Sequence, residues 1–482
     1  MVLSALSTDF YELTMMQGYF LTKNNPRVVF DMFYRTNPFN GGYVIFAGLN
    51  DLLKRLETFT FSKGDIEYLR SLGRFHGDFL EYLEDFKFMG TIHAMDEGTV
   101  VFPGEPLIRV EATMMEAQLI EGMLLNTINF QSLIATKASR VHHAANGGAI
   151  MEFGLRRAQG PDGAISASRA AFIGGCSATS NTLAGKVFGI PVAGTMAHSW
   201  VMSFESELEA FRAFADIYPN NTILLIDTYD TLGSGIENAI IVGKELKEKG
   251  LVVGVRIDSG DLSYLSREIR KKLDEAGLVE AKITVSNDLT EEIIETLIHD
   301  EVPIDSWGIG THLVTGGNQS SLNGVYKLSS RQLPDGSWLP TMKISNSFEK
   351  ATNPGRKQVW RFTDSDGAAL GDLITLEHEE LSGDRDYIFH HPFNQADFFT
   401  MKLGRYAKVT PLLTLHMANG ERIGHSVPLK KIQRHVKENL NTLHKTYRRM
   451  INPHIYKVSL SAELKSLKTQ LAMEGRSRIN RD

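Results

Sequence analysis

From Thr222 onward, four short apolar runs, TILLIDTYD, LVVGVRIDSGD, KITVSND and IDSWGIGTH, each end in polar or glycine-rich residues. Nearly continuous apolar stretches of this kind predict parallel strands covered on both faces. The segments between them have helical periodicity. In GIENAIIVGKELKEKG, Ile236, Ala239, Ile240 and Leu246 share a face, and in DLTEEIIETLIHD, Leu289, Ile293, Leu297 and Ile298 do. Asp288 followed by Glu291 predicts a capping box at the start of that second helix.

A strand–helix repeat admits an open doubly wound sheet or a closed barrel, and both bind ligands at the carboxyl ends of strands. Here polar residues gather at four successive strand ends instead of one switch point, which favours the barrel. The predicted fold is therefore α/β: an irregular TIM-like (β/α) barrel over residues 137–345, with a second α+β domain built from 1–136 and 346–482. In the flanks, GVYKLSSRQLPDGSWLPTMKIS and RKQVWRFTDSDGAALGDLITLEH read as antiparallel strands turning at Pro-Asp-Gly and Ser-Asp-Gly. GTVVFPGEPLIRVEAT reads as a hairpin, and the chain after Pro428 as basic helices.

Composition narrows the partner. With 482 residues, 42% hydrophobic and 22% charged, the chain has an ordinary globular make-up. Its net charge of −6 and the lack of a long basic stripe before the C-terminal helices make a small molecule the expected partner, not nucleic acid. The single cysteine, Cys176, excludes an intrachain disulfide and a Cys-rich zinc cluster, and fits a reducing compartment. The start, MVLSALSTDFYEL, lacks the regions of a secretion signal, and no apolar run is long enough to span a bilayer. Cytoplasm, and no membrane partner, is the expectation.

Neither a P-loop nor a G-x-G-x-x-G fingerprint occurs, and the pairs His142-His143 and His390-His391 lack zinc-helix spacing. WGIGTHLVTGG instead places Gly308, Gly310, Thr311, Thr315, Gly316 and Gly317 at a late strand end, where backbone N–H groups and a hydroxyl can hold phosphate. A tightly packed turn is the equal alternative. Arg256 and Asp258 of GVRIDSGD fall on one side of a strand, fit for an anionic substrate or for a structural ion pair. Asp227 and Asp230 of LLIDTYDT suit magnesium-bound water or a ribose. Glu152, Arg156 and Arg157 of EFGLRRAQG serve either phosphate or salt bridges, and His198 of GTMAHS is a core imidazole or a nucleophile.

Taken in order, TDFYELTM, FGLRRAQG, GTMAHS, LIDTYDT, GVRIDSGDL, VSNDL and GIGTHLVT resemble the nicotinate phosphoribosyltransferase family, from Thr8 to about Lys327 and more weakly into the C-terminal helices. The resemblance implies synthesis of nicotinate mononucleotide and pyrophosphate from nicotinate and phosphoribosyl pyrophosphate, for NAD. It further implies coupled ATP hydrolysis, Mg2+ as cofactor and a homodimer.

By the same resemblance His198 is transiently phosphorylated, Arg256 binds the nicotinate carboxylate with Thr195 adding a hydroxyl, and Tyr11 contacts the pyridine ring near a dimer interface. Thr311 with Gly308 and Gly310 holds the 5′-phosphate. Arg156 and Asp258 lie near ribose and pyrophosphate, and Asp227 or Asp258 meets the metal through water. A nicotinamide phosphoribosyltransferase is the alternative, but Asn181 stands where that family looks to carry an acid, which favours a carboxylate-bearing substrate. Quinolinate phosphoribosyltransferases are shorter, and a dicarboxylate calls for a denser basic pocket. A non-catalytic metabolite-binding protein on the same fold would be expected to lose His198 or the carboxylates, and all are present.

Overall fold

The computed structural model describes residues 4–343, 352–394 and 396–479. The chain forms two units, Met1–Leu133 with Ser321–Asp482, and Ile134–Ser320. The second unit carries the strand–helix repeat. Its strands are β1 (Ala149–Glu152), β2 (Ala178–Thr179), β3 (Ile223–Leu225), β4 (Gly254–Ile257), β5 (Lys282–Asn287) and β6 (Ser306–Ile309). All pair in parallel, in the order β2-β1-β6-β5-β4-β3. Among the described residues no ladder joins β2 to β3, the two ends of this sheet.

β3 to β6 are the four strands that the apolar runs predict. Leu224 and Leu225 point to opposite faces and both are fully buried, as are Val255, Ile257, Ile283 and Val285, so the sheet is covered on both sides. β1 and β2 are additional. β2 is two residues long and has no apolar run to mark it. Gly308 in β6 is required by packing: a Cβ there would stand 2.8 Å from the Phe153 ring just after β1.

Two helix expectations change. The helix Glu291–His299 is capped by Thr290, whose side chain accepts the Ile293 N–H at 3.4 Å, and not by Asp288. Glu291 is drawn inward, where it pairs with Lys137 and with Arg140 Nε at 2.9 Å, and so is not available to a capping box. The buried face of this helix runs through Ile294 and Leu297, leaving Ile293 41% exposed. In the helix Ile236–Glu248, Ile236, Ala239 and Leu246 are buried as predicted, together with Val242.

The first unit contains a seven-stranded and a six-stranded sheet, both dominated by antiparallel pairs. Gly324–Gln332, assigned by the sequence to the barrel, pairs antiparallel with Arg27–Tyr34 in this unit. Its partner lies about 300 residues away in the chain, from Val28 to Arg331 at one end of the ladder, and no local signal announces such a pairing. The expected boundary at Ser345 and Asn346 lies outside the described residues. The hairpins Gly324–Gln332 with Trp338–Pro340 and Lys357–Thr363 with Ala369–Leu376 form as predicted. The segment GTVVFPGEPLIRVEAT does not. Val100–Val101 pairs with Val44–Ile45, while Ile108–Thr113 lies between Arg27–Tyr34 and Thr91–Ala94. After Pro428 the helices Leu429–Thr442 and Ala462–Ile479 follow. Among the described residues no helix is long and apolar enough to cross a membrane.

Candidate active site

Because β1 to β6 are parallel, their carboxyl ends lie along one edge of the sheet. Glu152, Thr179, Asp227, Asp258, Asn287 and Gly310 stand at or just past those ends. All but one of the expected site residues belong to this unit.

Arg256 is the cation of this edge. Its Nη1 donates to Thr195 Oγ1 at 2.8 Å and its Nη2 to the Met196 carbonyl at 3.0 Å, while the buried Nε has no partner. Burial lowers the guanidinium pKa from its ordinary value, and Asp258 and Asp227 act in the opposite sense. The ion pair with Asp258 that their spacing allows is not made. Asp258 Oδ1 accepts instead from Ser286 Oγ. Arg256 is therefore hydrogen-bonded to two neutral oxygens, an arrangement able to take a ligand anion.

Asp227 organises the ends of β3 and β4. Its Oδ2 accepts the Asp258 N–H at 2.9 Å and the Ser259 hydroxyl at 2.7 Å. Its Oδ1 is buried without a hydrogen-bond partner. Among the described residues no group of three or more His, Cys, Asp or Glu is arranged to hold a metal directly. One unpartnered carboxylate oxygen beside Asp258 fits an ion that would take most of its ligands from phosphate and water. Asp230 does not join it, since its Oδ1 accepts the Gly233 N–H at 3.0 Å in the next turn.

His198 is the first residue of the short helix His198–Met202. Its Nδ1 lies 3.1 Å from Thr228 Oγ1, on the residue after Asp227, and Nε2 has no partner among the described residues. A hydroxyl on Nδ1 fixes the ring and leaves Nε2 as the nitrogen able to act as nucleophile. Thr228 is a site residue that the sequence did not single out. The signal was the hydroxyl inside LLIDTYDT, overshadowed by its two acids.

At the end of β6, Thr311 opens the turn Thr311–Val314, with its hydroxyl 3.5 Å from Asp288 Oδ1. Thr315 Oγ1 donates to the Thr311 carbonyl at 2.7 Å and accepts the Gly317 N–H at 3.3 Å. Gly316 and Gly317 take φ of 75° and 60°, the left-handed region that glycine enters freely. Asn287, at the end of β5, has φ 137°. This strained backbone, next to the Asp288 that meets Thr311, is of the kind found at ligand sites.

The remaining residues are placed as follows. Arg156 and Arg157 are exposed in the turn Leu155–Arg157, whereas Glu152 is completely buried. Asn181 caps the helix Thr182–Phe188, its Oδ1 accepting the Ala184 N–H at 3.2 Å, and its buried Nδ2 has no partner. Tyr11 belongs to the first unit, on the helix Phe10–Leu21, where it is 49% exposed. The Glu12 carboxyl, aided by burial, raises its pKa.

The edge thus combines a cation suited to a carboxylate, a fixed imidazole, a glycine-rich hydroxyl loop and carboxylates for a sugar or a hydrated metal. Comparison with known proteins agrees along the chain. Residues 6–129 match the nicotinate phosphoribosyltransferase N-terminal domain, 149–350 the nicotinate phosphoribosyltransferase family and 356–468 its C-terminal domain. A Bacillus subtilis protein named nicotinate phosphoribosyltransferase is 41% identical, over 99% of this chain and 97% of its own length. A Caenorhabditis elegans protein of the same name is 38% identical, over 95% and 92%. The crystal structure of human nicotinic acid phosphoribosyltransferase superposes with a TM-score of 0.86 at 32% identity, covering 96% of this chain and 99% of that one.

Proposed function

Since the chain belongs to the nicotinate phosphoribosyltransferase family, we propose that its strand-end edge makes nicotinate mononucleotide in the following way. The enzyme is a nicotinate phosphoribosyltransferase of NAD biosynthesis. The observation that carries the residue assignment is the Arg256 guanidinium, held by Thr195 and Met196 instead of an acid. A carboxylate-bearing ring supplies the missing anion, which favours nicotinate over nicotinamide.

Nicotinate lies with its carboxylate on Arg256 and near the Thr195 hydroxyl, and Tyr11, near a dimer interface, contacts the ring. Thr311 with the backbone around Gly308 and Gly310 takes the 5′-phosphate, and Arg156 takes the pyrophosphate. Bond formation at the anomeric carbon passes through an oxocarbenium-like state as pyrophosphate departs, and Asp258 lies beside the ribose on which positive charge develops. Mg2+ would supply neutralisation of the leaving pyrophosphate, and Asp227 or Asp258 would hold it through water.

ATP is a co-substrate. His198 Nε2 attacks its γ-phosphorus and ADP leaves, giving a phosphohistidine that water later hydrolyses to phosphate and free histidine. In the same reading the six-stranded sheet is an irregular barrel, the enzyme is a cytoplasmic homodimer, and no nucleic acid or membrane takes part.

The test is mononucleotide formation from nicotinate or nicotinamide with phosphoribosyl pyrophosphate and magnesium, with and without ATP, for wild type and His198→Ala. Conversion of nicotinate, stimulated by ATP only in wild type, is expected. Full ATP stimulation in the mutant would remove the phosphohistidine, and faster use of nicotinamide would remove the Arg256 assignment.

A further inference from the structure

Glu152 has no part in the chemistry above, yet it is the most enclosed carboxylate of the strand-end edge, with no solvent exposure. It is the last residue of β1, and three donors from three different elements converge on it. Oε1 accepts the Gly154 N–H. Oε2 accepts the Ser168 hydroxyl, from the helix Gly160–Gly174, at 2.8 Å, and the Thr179 hydroxyl from β2. None of these donors is charged. A buried carboxylate satisfied by neutral donors alone has a high desolvation cost, so its position requires an explanation beyond packing.

Two of these bonds lead toward the candidate site, while the Ser168 hydroxyl also lies 2.9 Å from the Ala164 carbonyl of its own helix. Gly154, fixed by Oε1, opens the turn that carries Arg156, and its carbonyl accepts the Arg157 and Ala158 N–H groups at 2.8 and 3.1 Å. A Cβ on Gly154 would collide with the Val314 side chain, so this turn packs directly on Thr311–Val314. Thr179, fixed by Oε2, uses the same hydroxyl to accept the Asn181 N–H at 3.0 Å. One side chain thereby ties the ends of β1 and β2 together, and the turn it fixes packs on Val314 after β6.

We propose that Glu152 is a positioning residue for phosphoribosyl pyrophosphate. Its carboxylate sets the Arg156 turn against the Thr311 turn, and so tunes the affinity for that substrate without touching it. The proposal rests on the reading of Arg156 and Thr311 as phosphate and pyrophosphate ligands. A carboxylate suits the task because it is acceptor-only and takes all three donors at once. A glutamine keeps one oxygen for Gly154 and obliges the Ser168 and Thr179 hydroxyls to turn around.

Initial rates of Glu152→Ala, Glu152→Gln, Thr179→Val and Arg156→Ala are measured against each substrate, with a thermal melt of every variant. Glu152→Ala is expected to raise KM for phosphoribosyl pyrophosphate about tenfold while KM for nicotinate stays within about twofold, and Glu152→Gln to recover to within about threefold of wild type. If the alanine variant does not fold, Thr179→Val, which removes one donor at nearly constant volume, is expected to raise the same KM about threefold.

A folded Glu152→Ala, or in its absence Thr179→Val, with the wild-type KM for phosphoribosyl pyrophosphate overturns the proposal. So does an equal rise in both KM values with a lowered melting temperature, which is general loosening. Failure of the underlying reading looks different: Arg156→Ala itself then leaves KM for phosphoribosyl pyrophosphate unchanged, and the positioning role falls with it.

Discussion

Arg361 in the first unit is buried and Arg256 in the second is half-buried, and the two are satisfied in opposite ways. Arg361 of the first unit grips Asp372, with Nη2 to Oδ2 at 2.6 Å and Nε to Oδ1 at 3.0 Å, and gives a further bond to the Val100 carbonyl at 2.9 Å. Tyr456 donates to the same Asp372 at 3.0 Å and stacks on Phe102 with ring centres 3.7 Å apart. Burial works against the Arg361 charge, but Asp372 more than offsets it and the net pKa is raised. Arg256 of the second unit meets only a hydroxyl and a carbonyl, and burial lowers its pKa. A buried cation neutralised by its own chain is a structural element. One hydrogen-bonded only to neutral oxygens, with Asp258 and Asp227 near it but not bonded to it, is able to take an incoming anion.

The largest expected effect is on the structural side of this contrast. Asp372→Asn leaves Arg361 buried without its counter-charge, and should cost about 3–5 kcal/mol of stability, read from denaturant melts, while kcat/KM of the folded enzyme is preserved. A variant that melts like wild type would show that the pair is not structural. Arg256→Gln should do the reverse. A loss in kcat/KM for nicotinate of about 2–4 kcal/mol is expected, with a melting temperature at or above that of wild type because an incompletely compensated cation has been removed. A large fall in melting temperature would place Arg256 with Arg361.

A third cation sharpens the comparison by pH. Burial, together with the neighbouring Lys465 and Lys357, pushes the Lys468 ammonium down from 10.5 to about 8. Below about pH 8 it is charged in both folded and unfolded chains, and the burial penalty is fully felt. Between about 8 and 10.5 the folded chain has released the proton that the unfolded chain still holds, so this group's contribution becomes more favourable as pH rises. The stability of wild type relative to Lys468→Met should therefore grow across that window, by on the order of 2 kcal/mol, in melts from pH 7 to 10.5. A pH-independent difference would mean that the ammonium titrates normally.

The smallest effect separates two neighbours at the end of β5. Thr290→Ala removes the helix cap and should cost about 0.5–1 kcal/mol. Asp288→Ala should leave stability within about 0.5 kcal/mol, since its carboxylate faces Thr311. Equal losses in the two melts would restore Asp288 as a cap.

What the sequence by itself determined is local and ordered. Continuous apolar runs specified β3 to β6 because a strand buried on both faces leaves no polar alternation. The polar residues closing each run marked the edge where Arg256, Asp258, Asp227 and Thr311 stand, because a side chain at a strand end needs no distant partner to be placed there. The succession of motifs was sufficient to point to the family. What only the tertiary structure decided depends on residues far apart in the chain. Gly324–Gln332 lies outside the strand–helix unit because its hydrogen-bonding partner is Arg27–Tyr34, and Glu291 left the cap because Lys137 and Arg140 reach it across the second unit. The same holds for function. Arg256 and Glu152 are both charged residues at the end of a strand, and the sequence grouped each with possible salt bridges. Arg256 is half-buried with Thr195 and Met196 as partners, whereas Glu152 is fully enclosed by Gly154, Ser168 and Thr179, and the energy of a charge is set by what surrounds it and not by where it falls in the chain.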